Sequence, residues 1–478
     1  MEAINIFLKK ELDEKLFDRK IFGINYWEYV RALTSCEVNS CVSKTSKMFA
    51  KTNFSIKKYA INLKYIKSYF INRRKADILI ISQSRRMEAN GSYRNNYIDY
   101  YVDELKDKYN VLTLEEPSWS SLTVSDTAHK FPLYTKNIYL TDFHELGLSI
   151  KTFLFKTFNK KKLKQINNEY EELKNMINGW YNINDINFYN HFSNSIIRLY
   201  LDRNYVKKIL LKIKPKIMLL HYMPSTFKEM LISEANNLNI KTVEIQHGTI
   251  TKVDPLINKC LDVSKLKADT KYIFSFGKNQ ICDYALSIKN LTNIKHIGFP
   301  FFEEKLKNLK PKRKKYILII SQSTIGKKMA EFTANLADIL LKNKIKTKII
   351  FKYHPNEISR DFNILNKPNI IQIKNEKNIY EIQNESFLQI GSYSTSLYEG
   401  FAMKIPTLVI EPMFGSIETV DIFKDINKGV YYIQSEKDVL KYINKKGIEP
   451  LNKDIKKIWS SNSKKNISKY IEELMEEK

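Results

Sequence analysis

Acidic residues are in short supply here: 52 Asp and Glu stand against 79 Lys and Arg, a formal net charge of +27. That surplus points to a polyanionic partner, whether nucleic acid, an anionic membrane face or a phosphorylated substrate, without choosing among them. The basic residues are spread widely and no recognition motif stands among them, so a specific nucleic-acid partner is not expected. Cysteine is scarcer still. Cys36, Cys41, Cys260 and Cys282 are the only four in 478 residues, and no CxxC pair occurs. This argues against a disulfide framework or a cysteine zinc site and fits a reducing compartment. Long apolar runs are missing too. None approaches the roughly 18–20 residues that a membrane span requires, and Met1 leads quickly into the charged run of residues 9–15 rather than a signal peptide. The expected location is therefore the cytoplasm, with contact at the inner membrane face left open. No DxD-like acidic pair stands out either, so the chemistry is expected to need neither a metal ion nor another cofactor.

What is present organises the chain. Its length suits two domains of about 200 residues each, plus extensions. One heptapeptide, IleLeuIleIleSerGlnSer, occurs at 78–84 and again at 317–323. Each copy is a short apolar run between basic and polar stretches, as the first, fully buried strand of a parallel α/β sheet reads. Strands are expected at 215–221, 240–246 and 271–276 in the first half, with a helix over 225–238. In the second half strands are expected at 316–321, 347–352, 369–373, 386–390 and 406–411, with helices near 327–343, 378–384 and 394–403. The domain division is then a helical basic extension (1–75), a Rossmann-like acceptor domain (76–300), a charged, proline-broken hinge (301–315), a second Rossmann-like domain (316–450) and a C-terminal amphipathic helix (451–478). Residues 38–76 hold ten Lys or Arg, no acid and interleaved aromatics. That composition suits an anionic membrane surface and equally a solvated helical face over ordinary core aromatics.

Three clusters fall just past expected strand ends, where a parallel sheet presents ligands. The first is Gln246-His247-Gly248-Thr249: histidine is the side chain best suited to proton transfer near neutral pH, and glycine permits close approach. The second is Lys352-Tyr353-His354-Pro355, where Lys352 and His354 lie two apart on an extended segment and Pro355 ends it. Two donors on a rigid loop suit a phosphate. The third runs from Gly391 to Gly400 through Ser394, Thr395, Ser396 and Glu399. A small-residue loop that opens a helix offers backbone N–H groups and hydroxyls to phosphate oxygens, and Glu399 one turn on could accept from ribose hydroxyls. Ser396 and Glu399 also have capping-box spacing, which would make them structural.

In this order, the QHG, KYHP and GSYSTSLYEG…KIPTLVIE segments resemble GT-B enzymes of bacterial capsule and lipopolysaccharide synthesis, over residues 76–415. The HisPro and Ser/Thr-rich pair is similar to the CMP-binding motifs of bacterial sialyltransferases and Kdo transferases. The HisGly, HisPro, SerThrSer series is similar to that of CDP-glycerol glycerophosphotransferases. The resemblance implies an α/β fold of two Rossmann-like domains facing a cleft, a nucleotide-sugar donor and a polysaccharide or lipid-linked glycan acceptor. It implies donor binding by Gly248, Lys352, His354, Pro355, Ser394, Thr395, Ser396 and Glu399, with His247 beside the reacting sugar. The sialyltransferase pattern carries an acidic pair before glycine in its first domain as general base, which this chain lacks. Glu88, Asp99, Asp103 or His247 itself are the substitutes, and Asp99 is taken with His247 as the catalytic pair. A nucleotide-sugar epimerase shares the fold and similar donor loops.

Overall fold

The computed structural model describes residues 2–42, 75–83, 86–116, 132–184, 186–221, 225–250, 260–281, 293–310, 312, 314–323, 325–392, 394–410, 422–423 and 425–477. Two parallel sheets dominate it. The first is built from β3 (Ile78–Gln83), β6 (Val111–Glu116), β7 (Ile138–Leu140), β8 (Ile217–His221), β9 (Lys241–Ile245), β10 (Tyr272–Ser275) and β11 (Ile294–His296), in the spatial order β11-β10-β9-β8-β3-β6-β7. The second is built from β12 (Tyr316–Ile320), β13 (Lys348–Lys352), β14 (Ile370–Ile373), β15 (Ser386–Gly391), β16 (Thr407–Ile410) and β17 (Val430–Ile433), ordered β14-β13-β12-β15-β16-β17. Numbered from its own first strand, the second sheet runs 3-2-1-4-5-6, the doubly wound Rossmann order, and the first repeats that order with one strand added. This is GT-B architecture. The two heptapeptide copies hold equivalent central places, β3 between β6 and β8, and β12 between β13 and β15. All six residues of β3 and four of the five in β12 are buried, which is why each carries the apolar run Ile-Leu-Ile-Ile.

A helical layer covers the first sheet. Between β7 and β8 the chain makes α4 (Asp142–Phe158), α5 (Lys160–Tyr181) and α6 (Tyr189–Ile213), then α7 (Thr226–Asn237) follows β8. The N-terminal segment, α1 (Glu2–Asp13), the short hairpin β1–β2 (Lys20–Ile21 and Ile24–Asn25) and α2 (Arg31–Val42), docks on this layer. Tyr26 and Trp27 are fully buried there, and Glu11 binds both Arg31 and the Trp27 indole. Of the basic stretch 38–76, residues 43–74 lie outside the described residues. Among the described residues no helix is long and apolar enough to cross a membrane.

The stretch expected as a hinge begins as a helix, α8 (Pro300–Asn308), with Pro at its first turn and Phe301 and Phe302 buried. Apolar side chains at 301 and 302 outweigh the charges that follow, since only burial satisfies them. From the second sheet the chain returns through α12 (Asn452–Ile458) and α13 (Ser463–Glu476) to the first. Ile467, Ile471 and Leu474 of α13 enter the first sheet's core beside Ile78, Ile217 and Phe274. Ser460 N–H donates to Phe276 O at 2.8 Å, Asn466 Nδ2 to Ile297 O at 2.9 Å, and Ser463 N–H to Glu303 at 3.0 Å.

Candidate functional site

Both sheets reverse strand order beside their first strand, β3/β8 in one and β12/β15 in the other, and a crevice opens at the carboxyl ends of strands at such a switch point. In the second sheet β15 ends at Gly391, Ser392 follows, and α11 (Thr395–Ala402) begins after Ser394. Ser394 Oγ accepts from Ser396 N–H at 3.3 Å, so Ser394 is the N-cap. Glu399 is then not a capping-box acid. Its Oε1 accepts from Tyr380 Oη at 2.7 Å, and Ser396 also bonds its carboxylate. Two buried glutamines hold α11 in place: Gln383 Nε2 donates to Ser396 O at 2.6 Å, and Gln389 Nε2 to Leu397 O at 2.7 Å. Gly400 leaves room for them, because a Cβ there would lie 2.1 Å from Gln389 Oε1.

Burial pushes the Glu399 carboxyl up to about 7, against the opposing hydrogen bonds from Tyr380 and Ser396. Unfolded, it ionises near its ordinary value of 4.5, so the folded chain binds more protons between those two pH values. Stability therefore falls as pH rises from about 4.5 through about 7, by roughly 3 kcal/mol at most from this group. Glu399→Gln should remove that slope, leaving the variant more stable than wild type at pH 8 and equal to it near pH 4.5 in thermal unfolding. Glu28, also pushed up to about 7 by burial, adds a slope of its own, so the test is the difference between the two proteins.

The KYHP loop follows β13. Tyr353 is buried, stacked on Phe362 at 5.7 Å, while Lys352 and His354 are half-buried to either side of it, as strand alternation requires. The two are not a matched pair of donors. Lys352 Nζ is turned to the carbonyls of Lys374 and Tyr353, and burial lowers its pKa. His354 is also held below the ordinary histidine range, by burial and then by Lys352, with Glu357 opposing. Its imidazole is neutral at pH 7. Pro355 is exposed and opens a single turn that brings Glu357 back to accept His354 N–H at 3.0 Å. Glu357 is fully buried over the start of α9 (Gly326–Lys342): a Cβ on Gly326 would lie 1.6 Å from Glu357 Oε1. Glu357 and Gly326 carry no signal of this in the sequence.

On the first sheet, β9 leads into Gln246, whose side chain pins the turn: Nε2 donates to Gly248 O at 2.8 Å and Oε1 accepts from Phe276 N–H at 2.6 Å. His247 and Gly248 are half-buried. His247 packs edge-on against His221, ring centroids 5.5 Å apart, at the end of β8. Tyr97 stacks on His221 at 4.3 Å and donates to His247 O at 3.2 Å. Its position is built by Asn95, which caps the turn through Tyr97 N–H at 2.9 Å and ties back to Ser82 and the Gln83 carbonyl of β3. Below them Lys228 Nζ reaches His221 O at 3.1 Å and Glu116 at 3.4 Å, a buried pair that burial alone would disfavour. His221, Tyr97 and Lys228 were not singled out from the sequence. A histidine closing an apolar run at 217–221 was the one available sign.

Asp99 does not sit as a base. It is fully buried at the start of α3 (Asp99–Leu105), ion-paired to Arg86 at 2.9 Å and accepting from Thr135 Oγ1 at 2.5 Å and Asn95 N–H at 2.8 Å. Arg86 also holds Glu115 at 2.7 Å, and the set ties the hairpin β4–β5 (Arg86–Ala89 and Ser92–Asn95) to the sheet. Asp103 is similarly engaged by Arg94 and Tyr134, and Glu88 is exposed on the hairpin. Asp99→Asn should act on folding, lowering stability by about 3 kcal/mol because Arg86 loses one of two buried carboxylates. A lowered melting temperature with unchanged turnover per folded molecule is the expected result.

The two halves meet through aromatic side chains. Tyr97 stacks on Phe299 at 5.2 Å, Phe299 on Phe276 at 4.6 Å, and Phe276 on Trp459 at 5.5 Å. Trp459 packs on Phe302 at 4.8 Å and donates to Tyr398 O of α11 at 2.9 Å, and Phe302 reaches Tyr380 at 5.8 Å. Tyr97 is also near enough to help raise the Tyr380 phenol pKa, after burial and Glu399. One packed seam thus joins the His221–His247 pair to the Tyr380–Glu399 pair.

No family model matches the chain, and no curated protein matches it. Solved structures do: the S. aureus MnaA–UDP structure at 12% identity, covering 85% of this chain and 98% of that one with a TM-score of 0.48; a UDP-GlcNAc 2-epimerase from Methanocaldococcus jannaschii at 12%, covering 83% and 99% with 0.47; and the wall teichoic acid polymerase TagF at 10%, covering 89% and 100% with 0.42. At these levels the likeness bears on no residue and no substrate, and the architecture rests on the sheet orders described above.

Proposed function

We propose that this protein is a metal-independent GT-B glycosyltransferase. It moves a sugar from a nucleotide donor, in the favoured case CMP-linked Kdo or a sialic-type sugar, to a surface polysaccharide or lipid-linked glycan at the cytoplasmic face of the membrane. The observation that supports this most is the meeting of the Ser394 helix N-terminus and its buried Tyr380–Glu399 pair with the His221–His247 pair through Tyr97. On this reading the donor phosphate lies at Ser394, Thr395 and Ser396 with His354 donating one N–H, and Glu399 faces the ribose. The acceptor hydroxyl gives its proton to His247 as its oxygen bonds the anomeric carbon. The bond from that carbon to the phosphate oxygen breaks, and charge collects on the departing nucleotide, where the helix N-terminus stabilises it without a metal. Domain closure would exclude water.

Incubating the protein with nucleotide-sugars, with and without a lipid-linked glycan acceptor, tests the reading. Glycan extension that requires the acceptor is the expected result. Conversion of the nucleotide-sugar to its epimer without any acceptor would make the protein an epimerase instead. Transfer of a polyol phosphate from a CDP-linked donor would place it with the CDP-glycerol enzymes.

A further inference from the structure

Helix α4 is apolar on two faces. Leu148 and Phe155 face the core, as a packed helix requires. On the other side Ile150, Phe153, Leu154 and Phe158 fall at i, i+3, i+4 and i+8, exposed by 52%, 68%, 44% and 75%. Single exposed apolar residues need no explanation, but four forming one helical stripe, two of them phenylalanines, mark a surface that is covered in use.

The charge beside the stripe names what covers it. Between positions 146 and 168 there are six lysines and neither Asp nor Glu. Four of them, Lys160, Lys161, Lys162 and Lys164, open α5, which has no acidic residue in its first turn. Cations at a helix N-terminus oppose its dipole, so this helix start is better satisfied by an anionic surface than by water. Lys162 Nζ lies 3.9 Å from the Tyr200 ring, which carries the positive charge across to α6. A second copy of this chain would set lysines against lysines. A nucleic acid would engage the lysines and leave the phenylalanines in water.

We propose that the exposed face of α4 and the start of α5 form a docking surface for an anionic lipid bilayer. Phe153, Leu154 and Phe158 enter the headgroup–acyl boundary, and the lysines meet lipid phosphates. None of these residues belongs to the proposed nucleotide site, and binding through them requires no donor, so the surface stands or falls independently of the proposed transfer reaction.

The test is flotation of the full-length protein with phosphatidylglycerol-containing vesicles and with pure phosphatidylcholine vesicles. Binding to the anionic vesicles alone, weakened by salt, is expected. Phe153→Ser with Phe158→Ser, and separately Lys160→Glu with Lys161→Glu, should each weaken it by at least about tenfold. Neither pair should lower the melting temperature, since these side chains are exposed and Glu at a helix start suits its dipole. Absence of wild-type binding would overturn the proposal. So would binding that both double variants retain, which would move it to another segment such as 38–76. Concentration-dependent dimerisation abolished by the phenylalanine variant, without vesicle binding, would replace the bilayer with a second copy.

Discussion

His354→Ala should erase most of the thermal stabilisation that a cognate nucleotide confers, while leaving the unliganded melting temperature where it is. A ligand at about 100 times its Kd stabilises a protein by about 2.7 kcal/mol. A hydrogen bond to a charged group contributes roughly 1.5–3 kcal/mol, so its loss raises Kd by about ten- to a hundredfold and removes half or more of that shift. The fold survives the change because the loop is held through its backbone: His354 N–H donates to Glu357 at 3.0 Å, and Glu357 N–H donates to His354 O at 2.8 Å. The measurement is a thermal shift with CMP, CDP, UDP and GDP on both proteins. CMP alone would fit a Kdo or sialic-type donor, and CDP a polyol phosphate. Equal shifts in variant and wild type would move the phosphate away from this loop.

Gly277→Ala is expected to be strongly destabilising, because the added methyl meets backbone rather than side chains that could turn away. A Cβ at 277 would lie 2.1 Å from Ile458 O, 2.5 Å from Ile458 C and 2.9 Å from Trp459 N. All three are backbone atoms, so no rotamer change relieves the overlap. The loop after β10 and the segment entering α13 must part, which breaks the Ser460–Phe276 hydrogen bond and unseats Trp459 from the seam. Overpacking of this kind costs about 3 kcal/mol. The loss should appear as a lowered melting temperature together with faster hydrogen exchange over 463–476. Gly298 faces the same tail with φ +96° and a Cβ 2.4 Å from Ser460 O, so Gly298→Ala should act in the same direction. Unchanged exchange in the Gly277 variant would mean that α13 is held by its apolar face alone.

Different parts of the molecule are unequally legible in its sequence. Strands at 217–221, 241–245, 316–320, 348–352 and 386–391 stand within a residue or two of where the apolar runs place them. Strands buried on both faces are rich in Ile, Leu, Val and Phe even where a buried polar residue interrupts them, and that enrichment survives in a lysine-rich composition. The KYHP loop and the Ser394–Glu399 helix start were legible for the same reason, since a strand end is a local event. The Tyr97–His221–His247 cluster was not, and neither was the Arg86–Asp99–Glu115 set that made Asp99 structural. Tyr97 and His247 lie 150 residues apart and meet only through the sheet; a short stretch around Tyr97 records nothing of its partner.

The sequence alone shows the central buried strands of two Rossmann-like units and the loops at their ends, because burial on both faces and the punctuation of Gly, Ser and Pro are local requirements; the strands at 111–116, 138–140, 294–296 and 430–433 and the order of strands in each sheet appear only in the fold. Tertiary structure alone decided which polar side chains are committed to ion pairs, which histidines face one another, and how the last helix clasps the first domain. Those outcomes depend on backbone groups such as Ile458 O and Ser460 N–H, which every sequence carries, and only packing selects their partners.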